Sequence, residues 1–189
     1  KADIMLAVGA ESVLCPLVIY SLANAKALSR RNDSPSTASR PFDVTRDGFV
    51  IGEGGGALVL ETEESANGRN ARKYAEIKGY AQAHRPVSYD NSEVDSKAVV
   101  EVIEKACVNA GIEADDIDFV CCDDRKIIKT LMPCYDVSQE IGNARAAASA
   151  MTAAYAAELL SDSEKNYEYG LALSMGAGGT YSAVILRKA

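Results

Sequence analysis

The stretch "GFVIGEGGGALVLE", Gly48 to Glu61, decides how this chain is read. Gly52, Gly54 and Ala57 satisfy the G-x-G-x-x-G/A pattern of a dinucleotide-binding turn. That pattern holds a pyrophosphate only between a strand and a helix, because the helix N-terminus supplies free N–H groups and a partial positive charge. Here the glycines are followed by Ala57, Leu58, Val59 and Leu60, an apolar and strand-like run. Phe49, Val50 and Ile51 before them also read as a strand. Strand, glycines, strand predicts a hairpin, or two paired strands with a bulge or a close backbone approach. No Lys-Ser/Thr pair follows, so a P-loop is excluded too. Gly52, Gly54, Gly55 and Gly56 are therefore read as structural, and the question becomes which fold needs them.

Outward from this stretch, helices alternate with strands. Ala2 to Ala10 reads as a buried strand, and Pro16 opens an apolar helix, "PLVIYSLANAKALS". "RRNDSPSTASRP" is a loop. "ETEESANGRNARKY" is a short helix or linker interrupted at Gly68, and "AEIKGYAQA" is a strand followed by the loop "HRPVSYDN". Asp95 is the N-cap of a helix whose Val99, Ile103, Ala106, Cys107 and Ala110 recur at helical spacing and which Gly111 stops. "DIDFVCC" is a strand. "NARAAASAMTAAYAAELL" is an alanine-rich helix whose small side chains suit burial between sheets, and "YGLALSM" and "SAVILRK" are strands joined by "GAGGTY". The pattern predicts an α/β fold of stacked layers.

Composition narrows the function classes. The 189 residues are 48% hydrophobic and 25% charged, ordinary for a globular chain. A net charge of −7 argues against nucleic acid as a main partner. No apolar run approaches the ~20 residues of a membrane span, and no signal-peptide pattern opens the chain. Five cysteines offer neither C-x-x-C nor a Cys/His pair for zinc, so the expectation is no metal, no cofactor and reduced thiols in the cytoplasm. The chain opens at Lys1, without Met, directly into "ADIMLAVGA", which predicts a processed chain or one whose first half lies elsewhere.

At "RPFDVTRDGFVIGEGGGALVLE", Arg40 to Glu61, the sequence resembles the thiolase-fold ketosynthases of fatty-acid and polyketide synthesis. The segment from Ala2 to Asp43 resembles the region just downstream of that family's nucleophilic cysteine, and "SMGAGGTYSAVILRK" resembles its closing GFGGxN turn and last strand. The likeness is strong over residues 1–60, intermediate over 75–120 and weak between 121 and 170. It implies a partial thiolase-like fold, with mixed sheets and a buried alanine-rich helix. Residues 1–62 would be the remainder of an N-terminal lobe, 63–74 a connector and 75–189 a shortened C-terminal lobe.

The family reaction is a decarboxylative Claisen condensation. It needs a cysteine thiolate, donors (usually two histidines) for the thioester enolate, and a supporting lysine. By the resemblance, the nucleophile motif lies upstream of Lys1. Asp123 stands at the first histidine, Ser138 at the lysine and Asn143 at the second histidine. Asp123 cannot donate to an enolate and would repel a malonyl carboxylate. Asn143 can donate, but an N-cap for the alanine-rich helix is its simpler role. In the gating turn, Gly176, Ala177, Gly178 and Gly179 correspond to the family's GFGG, so Ala177 replaces the phenylalanine and Tyr181 the asparagine. Val18 and Tyr20 stand where family glycines leave room for the acyl chain, and either fill that tunnel or have drifted. Cys15, Cys107, Cys121, Cys122 and Cys134 have no evident electropositive setting, and His84 reads as a solvated loop residue.

The expected function is a ketosynthase-like subunit without catalytic residues of its own. It would pair with an active ketosynthase-like chain in the manner of a chain-length factor, with acyl carrier protein as a further candidate partner. The alternative is one chain of a split or cleaved β-ketoacyl synthase whose cysteine lies on a companion. A pure carrier-protein scaffold ranks last, because no basic patch is evident.

Overall fold

The computed structural model describes residues 2–41, 43–86, 95–122, 132–176 and 178–189. Among the described residues seven strands form two sheets. β1 (Ile4–Glu11) and β2 (Gly54–Glu61) make an antiparallel pair in register from Ile4↔Glu61 to Glu11↔Gly54. The second sheet has the order β3-β7-β6-β4-β5, from β3 (Ala75–His84), β4 (Phe119–Cys122), β5 (Cys134–Tyr135), β6 (Tyr169–Gly176) and β7 (Thr180–Lys188). β4 runs parallel to β5 and to β6, whereas β7 is antiparallel to β6 and β3.

Side-chain alternation along the central strands builds two cores, one per face. Val120, Cys122, Leu171, Leu173, Ala183 and Ile185 face α3 (Ser96–Ala110), where Ala98, Val99, Val102 and Ala106 meet them. Phe119, Cys121, Ala172 and Leu186 face α5 (Ala148–Ser161), against Ala156, Leu159 and Leu160. The other side of α5 lies on β1 and β2. The layers therefore run α3, five-stranded sheet, α5, two-stranded sheet. This mixed α/β architecture with a buried alanine-rich helix is the one the sequence predicts.

Two glycines let α5 come so close to β2 and β1. A Cβ on Gly56 would lie 2.8 Å from the backbone of Ala150 and Met151, and one on Gly9 3.0 Å from the Ala150 Cβ. Small residues on both partners are the reason the helix seats on the strand pair. Local signals hold at α3 also: the Asp95 carboxylate accepts from the N–H groups of Lys97 and Ala98, and Gly111 closes the helix at φ +73°.

Several expectations are corrected. Phe49–Ile51 and Ala57–Leu60 do not pair with each other. Phe49 and Ile51 make only isolated bridges, to Leu28 and Asn143, while the glycines after Glu53 lie inside β2, which pairs with β1. The backbone of Phe49–Ile51 finds its partners elsewhere and so cannot form a hairpin with β2. β1 is not buried: Ile4, Leu6 and Val8 are 55%, 62% and 62% exposed, because α5 covers only the other face of its sheet. The first helix, α1, is shorter than predicted, Pro16–Asn24, with Pro16 in its first turn and no buried residue. The linker forms the six-residue helix α2 (Glu63–Gly68), started by Thr62, whose hydroxyl accepts the Ser65 N–H. His84 ends β3 rather than lying in a loop; its Nδ1 is 3.2 Å from the Thr180 hydroxyl. Among the described residues no helix is long and apolar enough to cross a membrane.

Candidate functional site

The parallel trio β5, β4 and β6 fixes where chemistry could sit. Their C-terminal ends lie on one edge of the sheet, and in open α/β sheets ligands gather at that edge because the connecting segments converge there. Three segments leave from it: the chain after Cys122, the chain after Tyr135 that leads to Ser138 and Asn143, and the β6–β7 turn at Gly176 to Thr180. The topology thus gathers the segments that carry Ser138, Asn143, Gly176, Gly178 and Gly179 at one end of the sheet, whereas Val18 and Tyr20 lie on α1. Asp123 and Ala177 themselves lie outside the described residues.

Ser138 begins the short helix α4 (Ser138–Ile141). Its N–H donates to the Asp136 carboxylate at 2.8 Å, and its carbonyl accepts the Ser39 hydroxyl at 2.6 Å. Asn143 is locked against the glycine-rich segment that precedes β2. Its N–H donates to the Val50 carbonyl at 2.7 Å and its own carbonyl accepts the Gly52 N–H at 2.9 Å. The approach has no room for side chains: a Cβ on Gly52 would sit 2.2 Å from the Ile141 carbonyl oxygen, and one on Gly142 2.8 Å from that of Val50. Gly142 also has φ +75°, a conformation that other residues rarely adopt. The glycine cluster is thus a close-packed backbone junction, as the sequence predicts, and not a phosphate cradle.

The Asn143 carboxamide oxygen accepts the Arg145 N–H at 2.8 Å, holding Arg145 in a left-handed conformation (φ +50°) just before α5. The N-cap role expected of Asn143 is corrected: Ala144 and Ala147 precede the 3-10 helix Arg145–Ala147 and α5, neither with a side-chain cap bond, and Asn143 instead closes a local turn two residues on.

The β6–β7 turn is closed by the Gly179 N–H on the Gly176 carbonyl at 2.9 Å, and the Gly179 carbonyl accepts the Arg85 N–H at 2.8 Å. Gly178 has open space where a Cβ would stand. Tyr181 turns into the α3 face of the sheet, 2% exposed, and its hydroxyl accepts the Asp95 N–H at 3.0 Å. Sequence reasoning marked Tyr181 as a departure from the family turn but missed that it holds the start of α3. Its position two residues before Ala183 and four before Ile185, on the same strand face, was the available signal. Tyr20 is 74% exposed and Val18 half-buried on α1, so neither side chain is enclosed within this chain.

The thiols divide by face. Burial pushes the Cys121 pKa up to about 12, with Cys134 and Asp136 adding to the effect, and burial raises that of Cys107 as well. Both stay protonated near neutrality and are poor nucleophiles. Among the described residues no cluster of three or more His, Cys, Asp or Glu side chains could hold a metal ion. An open depression of about 520 Å³, lined by Asp118, Asn166, Tyr167, Glu168, Arg187 and Lys188, lies at the opposite edge of the sheet, where β4 and β6 begin. Its Asp118 carboxylate is engaged by the N–H groups of Glu168 and Tyr169, so it ties the strand starts together.

A layered α/β sandwich with a helix between two sheets, and a glycine junction beside the parallel strand ends, defines a thiolase-like fold. Residues 1–66 match the family model "Beta-ketoacyl synthase, N-terminal domain". The 3-oxoacyl-[acyl-carrier-protein] synthase 2 of Vibrio cholerae is 36% identical over 184 residues, which is 97% of this chain and 42% of that protein. The structure of a type II PKS acyl-carrier protein in complex with its ketosynthase bound to the hexaketide superposes with a TM-score of 0.86 at 27% identity, over 100% of this chain and 57% of that one. The ishigamide ketosynthase/chain length factor shares the fold, with a TM-score of 0.82 at 24% identity over 99% of this chain and 54% of that one. The chain belongs to the thiolase-fold ketosynthase family, of fatty-acid and polyketide synthesis. It spans roughly half the length of these relatives, from 42% to 57%.

Proposed function

We propose that this chain is a ketosynthase-like subunit without catalytic residues of its own, which pairs with an active ketosynthase-like chain during fatty-acid or polyketide elongation, in the manner of a chain-length factor. The observation that carries the reading is the open apolar face of the β1–β2 sheet. Ile4, Leu6, Val8 and Val59 share that face, each more than half exposed, and α1 adds Leu17 at 77% and Tyr20 at 74%. An exposed apolar face on a two-stranded sheet with open edges calls for a covering polypeptide.

The candidate site supports the same reading. Ser138 in place of a lysine supplies no positive charge, and the Asn143 side chain is tied into the turn before α5 through its carboxamide oxygen, leaving only its amide group as a donor. Asp123 at the first donor position would oppose a malonyl carboxylate. Cys107 and Cys121 are held protonated by burial. On this reading residues 1–62 and 75–189 are two lobes joined by 63–74. The turn around Gly176, Gly178 and Gly179 is then a gating remnant, Val18 and Tyr20 fill space in the assembled pair, and acyl carrier protein is a further partner. A cytoplasmic location belongs to the same proposal.

The second reading is one chain of a split β-ketoacyl synthase. The 36% identity to a 3-oxoacyl-[acyl-carrier-protein] synthase along 97% of this chain favours it. Intact mass spectrometry of the natively purified complex, with and without malonyl thioester, separates the two. The subunit reading expects a ketosynthase-like companion with a complete nucleophile and donor set, which alone becomes acylated and turns over. A companion that carries only the cysteine half, inactive without this chain's donors, selects the split enzyme. Turnover of malonyl thioesters by this chain alone, through one of its own thiols, overturns both.

A further inference from the structure

Cys122 and Cys134 stand apart from the other three cysteines. They lie on the adjacent parallel strands β4 and β5, and their sulfurs are 3.3 Å apart. The register explains why. Val120 is the Cα partner of Cys134, and Cys122 is two residues beyond Val120, hence on the same sheet face. Both belong to the core under α3, with Val120, Leu171 and Met132 around them. Cys121, the intervening residue, points to the opposite face, into the α5 core. A sequence reading that sees only "CC" and a distant cysteine has no means of choosing between the two.

From this geometry we infer that Cys122 and Cys134 are a covalent modification site, a thiol pair that closes to a reversible intramolecular disulfide fastening β4 to β5. A disulfide needs its sulfurs about 2.0 Å apart. The register sets the two Cα atoms two residues apart along neighbouring strands, so closing the remaining gap takes rotation about the Cα–Cβ bonds together with a small shift of the short strand β5 along β4. Access is asymmetric in a useful way: Cys134 is partly exposed and Cys122 fully buried. An oxidant meets Cys134 first, and Cys122 is the resolving partner already in contact.

With a low-molecular-weight disulfide as oxidant the steps balance. Deprotonated Cys134 Sγ attacks one sulfur of oxidised glutathione; that S–S bond breaks and one glutathione thiolate leaves. Cys122 Sγ then attacks the Cys134 sulfur of the mixed disulfide, and its proton passes to the second departing glutathione. Two protein thiols have lost two electrons, and the small disulfide has become two thiols. The Cys121 thiol, which burial holds up at about 12, stays out of the exchange. The bond closes a ring over residues 122–134, between the end of β4 and the start of the segment that leads to Ser138.

The test uses the natively purified chain, with any chain that copurifies, incubated with oxidised glutathione, alkylated and digested with trypsin. The two sulfurs fall on separate tryptic peptides, 106–125 and 130–145. The expected result is a drop from five alkylated cysteines to three, the two peptides joined, and full return on reduction. The link should persist in Cys121→Ser and disappear in Cys134→Ser. Because Cys122→Ser alters a packed core, the control on fold is the wild-type chain in urea, where linkages to Cys15 and Cys107 should appear in addition. Five alkylated thiols in native buffer, a link that needs Cys121, or the same mixture of linkages with and without urea would each overturn the inference.

Discussion

The Gly52 N–H donates to the carbonyl of Asn143 at 2.9 Å, joining the two halves of the chain across a long sequence separation. This bond, with the return bond from the Asn143 N–H to the Val50 carbonyl, fastens the segment before β2 to the segment before α5. It gives the glycine cluster its meaning, since a Cβ at Gly52 or Gly142 would strike the facing backbone.

Gly52→Ala should therefore destabilise the chain by about 2–3 kcal/mol, the range of an overpacked site whose neighbour is rigid backbone. Gly68→Ala, on α2 with no atom within 4 Å of the new methyl, should be neutral or stabilise by up to about 1 kcal/mol. Urea midpoints of the two variants decide it; equal midpoints would remove the close-approach argument.

The Tyr181 hydroxyl and the Asp95 N–H form a part-buried hydrogen bond between β7 and the start of α3. Tyr181→Phe keeps the ring and leaves the N–H without its acceptor, at a cost of about 1–2 kcal/mol. Amide exchange at Asp95 should accelerate with it. An unchanged exchange rate would mean that the ring alone carries the contact.

Acid should loosen the polar segment between Ser29 and Asp47. The Asp47 carboxylate accepts the Ser29 hydroxyl and the Arg30 N–H and pairs with Arg40 at 2.8 Å. These bonds lower its pKa from 3.8 to about 2, the Ser29 hydroxyl contributing most. A carboxylate whose folded pKa is depressed stabilises fully above its unfolded value, and that contribution is lost as pH falls through the folded one. The protection factor of the Arg30 amide, which removes the intrinsic pH dependence of exchange, should thus be steady above pH 3.8 and fall towards pH 2. Asp47→Asn should abolish that acid dependence.

The apolar face of β1 and β2 should govern association. Leu6 and Val59 are Cα partners, 62% and 61% exposed. Leu6→Glu should abolish copurification with a ketosynthase-like chain while the far-ultraviolet circular dichroism is retained. A wild-type chain that sediments alone as a folded, monodisperse monomer would defeat the pairing proposal.

Much of this fold was legible because its signals are local. Asp95 and Gly111 bracket α3 by capping chemistry that needs no partner. The apolar runs from Phe119 to Cys122 and from Tyr169 to Gly176 give strands whichever sheet they join. Phe49–Ile51 misled for the opposite reason: an apolar triplet has strand propensity, but its N–H and C=O groups find Ala27, Ser29 and Asn143, outside the strand pair it was expected to join. β1 read as buried because its composition is apolar, and composition does not say which face another element covers.

Family membership rests on the long glycine signature and the closing turn, and these the amino-acid sequence determined by itself. So too did it determine the caps of α3, Asp95 and Gly111, since residue identity alone sets donor and acceptor chemistry and backbone freedom. Tertiary structure decided which residues meet. It set Asn143 against Gly52, put Tyr181 under Asp95, and brought Cys122 rather than Cys121 to Cys134. Each of these depends on strand register and on which face of a sheet a side chain occupies, and a shift of one residue would reverse them.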